Sequence, residues 1–152
     1  MPEWELKTAD GEIIKSSDLI GKPLILNFWA TWCPYCKRVQ PGLDALYKKY
    51  QDKGLQMVAI SFNEDEGADP HGVLIERGHS FKTLVNGDMV ANKLFGVTGT
   101  PTTYIIHADG SVLISTKTSK PNDRGLEEAV KMLFRKMEKM EKKRKAEAEK
   151  AE

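Results

Sequence analysis

Two nearly unbroken apolar runs constrain this chain more than any other feature: PLILNFWA at residues 23–30 and QMVAISF at residues 56–62. A strand with one wet face alternates apolar and polar residues. A run that is apolar at almost every position belongs to a strand covered on both faces. Between the runs, Leu43, Leu46, Tyr47 and Tyr50 recur at the three-to-four spacing of one helical face. The spacing predicts a helix from about residue 34 to about residue 52, ended by Gly54 and kinked at Pro41. Two buried strands joined by a helix of this length form a βαβ unit, parallel and right-handed.

The flanks extend this unit. Residues 4–7 and 12–15 alternate around Asp10-Gly11, a hairpin turn signal. NEDEGADPHG after the second run reads as a polar loop, and residues 73–77 and 89–95 as short helices. Residues 102–107 and 111–116 form a second hairpin around Ala108-Asp109-Gly110. From Arg124 onward Leu126, Ala129, Val130, Leu133, Phe134 and Met137 mark the apolar face of a last helix. The order ββ–β–α–β–α–α–β–β–α predicts an α/β fold with a central mixed sheet flanked by helices. With 152 residues one domain is expected, at 1–140. Residues 141–152, without an apolar residue larger than alanine, read as a charged helical extension or disordered tail.

A net charge of +1 offers nothing to nucleic acid, and no run approaches the roughly 18 apolar residues of a membrane span. Glu3, Glu5, Asp10 and Glu12 stand where a leader would be basic and then apolar, so no signal peptide is read there and location stays open. A monomer is expected.

Both cysteines, Cys33 and Cys36, lie in WATWCPYCKRVQP, where the first buried strand gives way to the helix. Such a pair can be a redox dithiol, half of a metal site, or inert. Zinc needs four ligands, and the chain has no further cysteine and no paired histidines, so no metal is expected. His71, His79 and His107 sit in separate segments and read as surface or loop residues. At a helix N-terminus, unpaired N–H groups and the macrodipole favour an anion, and Pro34 suits the first turn. Cys33 is therefore the expected attacking thiolate. Cys36, one turn in and more shielded, is the expected resolving thiol.

The stretch LILNFWATWCPYCKRVQPGLDALYKKY resembles the thioredoxin superfamily, and more narrowly the TlpA/ResA-like thiol–disulfide oxidoreductases. The N-terminal hairpin, MVAISFNE, the insert at residues 65–90 and FGVTGTPTTYIIHADGSV match the same branch, covering residues 3–134. The resemblance implies a thioredoxin-like fold with an N-terminal β-hairpin and an inserted helix and strand. It implies a catalytic dithiol, Cys33 and Cys36, and no cofactor beyond their own redox-active disulfide. Partners would be protein disulfide or dithiol substrates and an upstream thiol reductant. Trp32, Pro34, Tyr35, Thr100 and Pro101 would face the substrate, with Pro101 in the cis-proline loop. Thioredoxins proper carry a buried aspartate six residues before the first cysteine; here Asn27 occupies that position and cannot titrate. In this branch an acid after the second central strand acts instead, which is Glu64 here, as acceptor of the Cys36 proton. Pro34-Tyr35 departs from the dipeptides usual in the branch and leaves the redox potential open.

The resemblance favours reduction of protein disulfides, for instance in cytochrome c maturation or exported-protein redox homeostasis. It also favours a periplasmic or otherwise exported location, with the cytoplasm as alternative. A thiol peroxidase is a second reading, although the residues before Cys33 lack the Pro-x-x-x-Thr-x-x-Cys setting of peroxiredoxins. A non-catalytic binding module using the cis-proline groove is a third.

Overall fold

The computed structural model describes residues 1–151; residue 152 of the predicted tail lies outside the described residues. Seven strands form one sheet, in the order β2 (Ile13–Lys15), β1 (Glu5–Thr8), β5 (Lys82–Val85), β4 (Gln56–Ser61), β3 (Leu24–Trp29), β6 (Thr102–Ile106) and β7 (Val112–Thr116). β3 and β4 are the two apolar runs. They pair in parallel, Leu24 opposite Gln56 through Trp29 opposite Ser61. β5 adds to β4 in parallel. The hairpins close the two sides with antiparallel ladders. β1 and β2 lie beyond β5, and β6 and β7 lie beyond β3.

Strand alternation splits the core in two. Ile25 and Trp29 of β3 pack with Val39, Leu43, Leu126, Val130 and Leu133 under α1 (Pro34–Tyr50) and α3 (Arg124–Ala151). Leu24, Leu26 and Phe28 pack on the opposite face with Trp4, Leu84 and Val90. Both faces of β3 are covered, which is why its sequence shows no polar alternation except Asn27.

Three elements differ from the sequence reading. α2 runs Pro70–Glu76, so Pro70, assigned to a loop, is the first helical residue. The Asp69 carboxylate caps it, accepting from the Gly72 N–H at 3.1 Å. Proline loses nothing at that position, because its missing N–H would be unpaired anyway. Residues 89–95 centre on a π-type turn, Val90–Leu94, closed by Phe95 N–H donating to the Val90 carbonyl five residues back. α1, expected to reach about residue 52, ends at Tyr50 and yields at Gln51–Lys53 to a 3₁₀ turn, with Pro41 inside the helix. Among the described residues no helix is long and apolar enough to cross a membrane.

Candidate active site

β3 ends at Trp29, and the chain turns at once. The Cys33 N–H donates to the Ala30 carbonyl at 3.2 Å, making Thr31 and Trp32 the centre of a four-residue turn. Cys33 is then the N-cap of α1, with extended backbone and Pro34 behind it. Its Sγ accepts the Cys36 N–H at 3.2 Å, taking the role that a serine or aspartate oxygen usually fills. A thiolate there would hold a real N–H and the positive end of a 17-residue helix. The sequence reading set Cys33 outward and Cys36 inward. The contrast is narrow, 3% against 0% exposed, because the cap bond draws Sγ back over the helix end. The two thiols differ in chemistry instead. Burial first, then the hydrogen bond with Cys33, pushes the Cys36 thiol up to about 12, against smaller opposing contacts with Ala30 and Thr100.

The Thr100-Pro101 peptide is cis, Pro101 is buried, and the Thr100 side chain faces Cys36. Trp32 is 53% exposed, with its indole N–H on the Asn63 carbonyl at 2.8 Å. Between Trp32 and the Thr100 loop lies a groove of about 370 Å³, lined also by Ala30, Phe62, Asn92 and Thr98. Pro34 and Tyr35 are exposed at the start of α1 and do not line it.

Glu64 comes to the same corner by another route. Its carboxylate accepts from the Thr31 N–H at 3.0 Å and from the Thr31 and Ser61 hydroxyls at 2.7 Å each. It makes no hydrogen bond to either thiol. Beneath the dithiol, the fully buried Asn27 donates to Thr103 Oγ1 at 3.0 Å and accepts from Gln40 Nε2 at 3.4 Å. Gln40 Oε1 in turn accepts from Arg77 Nη1 at 3.3 Å, and Arg77 Nη2 reaches the Thr31 carbonyl at 3.3 Å. Thr31, Gln40, Ser61, Arg77 and Thr103 were not singled out from sequence. Gln40 had a signal, lying one helical turn after Cys36 on the same face. Arg77, 46 residues from Thr31, had none.

Two of the three histidines are loop residues, as read from sequence, but are more buried than surface positions. His79 has 6% of its side chain exposed, stacks on Phe81 at 5.3 Å and lies 3.7 Å from Asp44. Burial holds His79 below the usual histidine value despite Asp44. His107 has a buried Nδ1 without a partner; burial, then Lys136, lowers it too.

The sequence profile of the AhpC/TSA family matches residues 1–114. The chain belongs to this family of thioredoxin-like proteins. Its curated relatives include the thiol–disulfide oxidoreductase ResA of Bacillus subtilis, 33% identical over 112 residues, which are 74% of this chain and 62% of ResA. ResA of Bacillus thuringiensis is 30% identical over 132 residues, 87% of this chain and 75% of that one. Among solved structures, one assigned as the thiol:disulfide interchange protein DsbE of Chlorobium tepidum superposes with a TM-score of 0.77 at 30% identity. That match covers 87% of this chain and 93% of the other. A secreted disulfide oxidoreductase of Mycobacterium tuberculosis gives 0.66 at 25% identity, covering 76% and 83%. The fold is thioredoxin-like, as the resemblance of the sequence to that superfamily implied.

Proposed function

We propose that this protein is a thiol–disulfide oxidoreductase that reduces disulfides in protein substrates. The observation that carries the reading is the asymmetry of the dithiol: Cys33 Sγ holds the helix N-cap, while Cys36 is pushed up to about 12. The Cys33 thiolate attacks one sulfur of a substrate disulfide. A mixed disulfide forms and the other substrate sulfur leaves as a thiolate. Cys36 then attacks Cys33 Sγ as its proton passes to the departing substrate thiolate, which leaves as a thiol, and the Cys33–Cys36 disulfide remains. Two electrons have passed to the substrate, and an upstream thiol reductant restores them. The cis-proline loop and Trp32 bound the groove in which a substrate segment would lie, pairing as an added strand. Pro34 and Tyr35 would touch it from the helix side. Substrates would be exported proteins, apocytochrome c among them, in a compartment outside the cytoplasm; the M. tuberculosis neighbour is described as secreted.

The test is insulin-disulfide reduction by the wild type and by Cys33→Ser, with the reduction potential measured against glutathione. Turnover lost in Cys33→Ser, with a potential near about −270 mV, is the expected result. A potential near about −120 mV would make the protein an oxidant. Peroxide consumption without insulin reduction would make it a peroxidase.

A further inference from the structure

We propose that Arg77 is a positioning residue for the Cys33 nucleophile, holding the Ala30–Cys33 turn from its carbonyl side while Glu64 holds it from its amide side. This rests on the reading of Cys33 and Cys36 as the reactive dithiol. A turn of this kind delivers Cys33 to the helix end only if its central peptides keep their orientation. Both backbone polar groups of Thr31 are taken. The N–H goes to both oxygens of Glu64 at 3.0 Å, and the carbonyl accepts from Arg77 Nη2 at 3.3 Å. The other arm of the guanidinium donates to Gln40, one helical turn beyond Cys36, and Gln40 reaches Asn27 in the central strand. The guanidinium also lies over the Trp29 ring, 5.9 Å from its centroid.

One side chain thus ties together the turn before Cys33, the helix that carries both cysteines, and the strand beneath them. A planar fork can do this; an ammonium point charge cannot span both acceptors. Arg77 caps the C-terminus of α2, so the inserted segment acquires a role at the dithiol. Just beyond it, Ser80 donates to Asp44 and His79 lies against Asp44, docking the same insert on α1 one turn past Gln40. The titratable groups packed around this corner include Glu64, Asp44 with its ion-pair partner Lys48, and His79.

Loosening the turn would free Cys33 Sγ from the Cys36 N–H and raise the cost of the thiolate. The test uses the full chain with Arg77→Gln and Arg77→Lys. The pH profile of Cys33 alkylation, the equilibrium with reduced and oxidised glutathione, and thermal melting are each measured. In both variants the alkylation midpoint should move up and the rate at neutral pH fall about three- to tenfold, one pH unit in midpoint being about tenfold in thiolate. The glutathione equilibrium should move toward the disulfide by a similar factor. Wild-type profiles in both variants, even with lower melting temperatures, would reduce Arg77 to a structural role and overturn the proposal. Full recovery in Arg77→Lys would also overturn it, since charge alone would then suffice. If Arg77→Gln does not fold, the Arg77 side-chain ¹⁵N signals of the wild type are followed through the Cys33 titration. A step at the Cys33 midpoint supports the clamp, and a flat trace overturns it. None of these readouts needs a protein substrate. Failure of insulin reduction would therefore sink the proposed function while leaving this inference to stand or fall by itself.

Discussion

At the scale of single residues, the two cysteines look equivalent in sequence and differ in place. Cys36 sits inside the core with its thiol pushed up to about 12, so it stays protonated through the physiological range. Iodoacetamide should therefore label reduced protein once, at Cys33, with Cys36 labelled only after unfolding; peptide mass spectrometry showing equal labelling in the native state would contradict this. Cys36→Ser should leave the first attack intact and trap a mixed disulfide with substrate, visible on non-reducing gels. Asn27 offers a sharper probe. It is fully buried and satisfied by Thr103 and Gln40, two neutral partners. In Asn27→Asp the folded-state carboxyl should titrate above its unfolded value, because burial disfavours the charge. A raised acid contributes stability below its unfolded value and loses it as pH rises through the folded one. Asn27→Asp should thus approach wild-type stability in acid and fall behind it toward neutrality, by urea midpoints; a constant difference would argue against it. That Asn27 cannot titrate was legible from its letter alone. That Gln40 and Arg77 extend it into a polar chain was not, since those contacts cross 13 and 37 residues of sequence.

Among the elements, the central ones announced themselves. β3 and β4 are covered on both faces, so their sequences are apolar at nearly every position, and the helix between them has a clear stripe. The insert was less plain. Its helix is seven residues long, too short for a periodic stripe, and its opening proline passed for a loop signal. The register of β5 depends on β4 and β1, and nothing in KTLV alone states it. The close approach of Gly42 was equally silent. A Cβ there would stand 1.7 Å from the Pro121 carbonyl oxygen, so α1 and the segment leading into α3 meet backbone to backbone. Gly42→Ala should cost about 1–3 kcal/mol by overpacking, although alanine is the better helix former. A melting temperature equal to or above the wild type would show that the Pro121 segment simply moves aside.

For the molecule as a whole, acid should act through its histidines before its carboxylates. His79 and His107 both titrate below the ordinary 6.5 in the folded chain, each chiefly through burial. An unfolded histidine binds its proton first as pH falls, so stability is full above about 6.5 and lost progressively below it. Asp44 is held low by Ser80 and Lys48, which outweigh its burial, and extends the loss to lower pH. Urea midpoints that stay flat from about pH 7.5 to about pH 5 would contradict the histidine contribution. At the far end, α3 continues as one helix of 28 residues to Ala151, and residues 138–151 are all exposed. Cutting the chain after Met140 should leave unfolding within about 0.5 kcal/mol of the full chain, as for other surface changes.

The β3–β6 ladder carries a consequence for the life history of the molecule. It sets Leu24 opposite Ile106 and Phe28 opposite Thr102, and it brings the cysteine turn beside the Thr100-Pro101 loop. Both cysteines have been synthesised by residue 36, yet the Thr100-Pro101 loop beside them follows only about 65 residues later. Closing so long a loop is entropically slow compared with winding α1. During synthesis both thiols are thus present before the loop that will stand beside them in the folded protein.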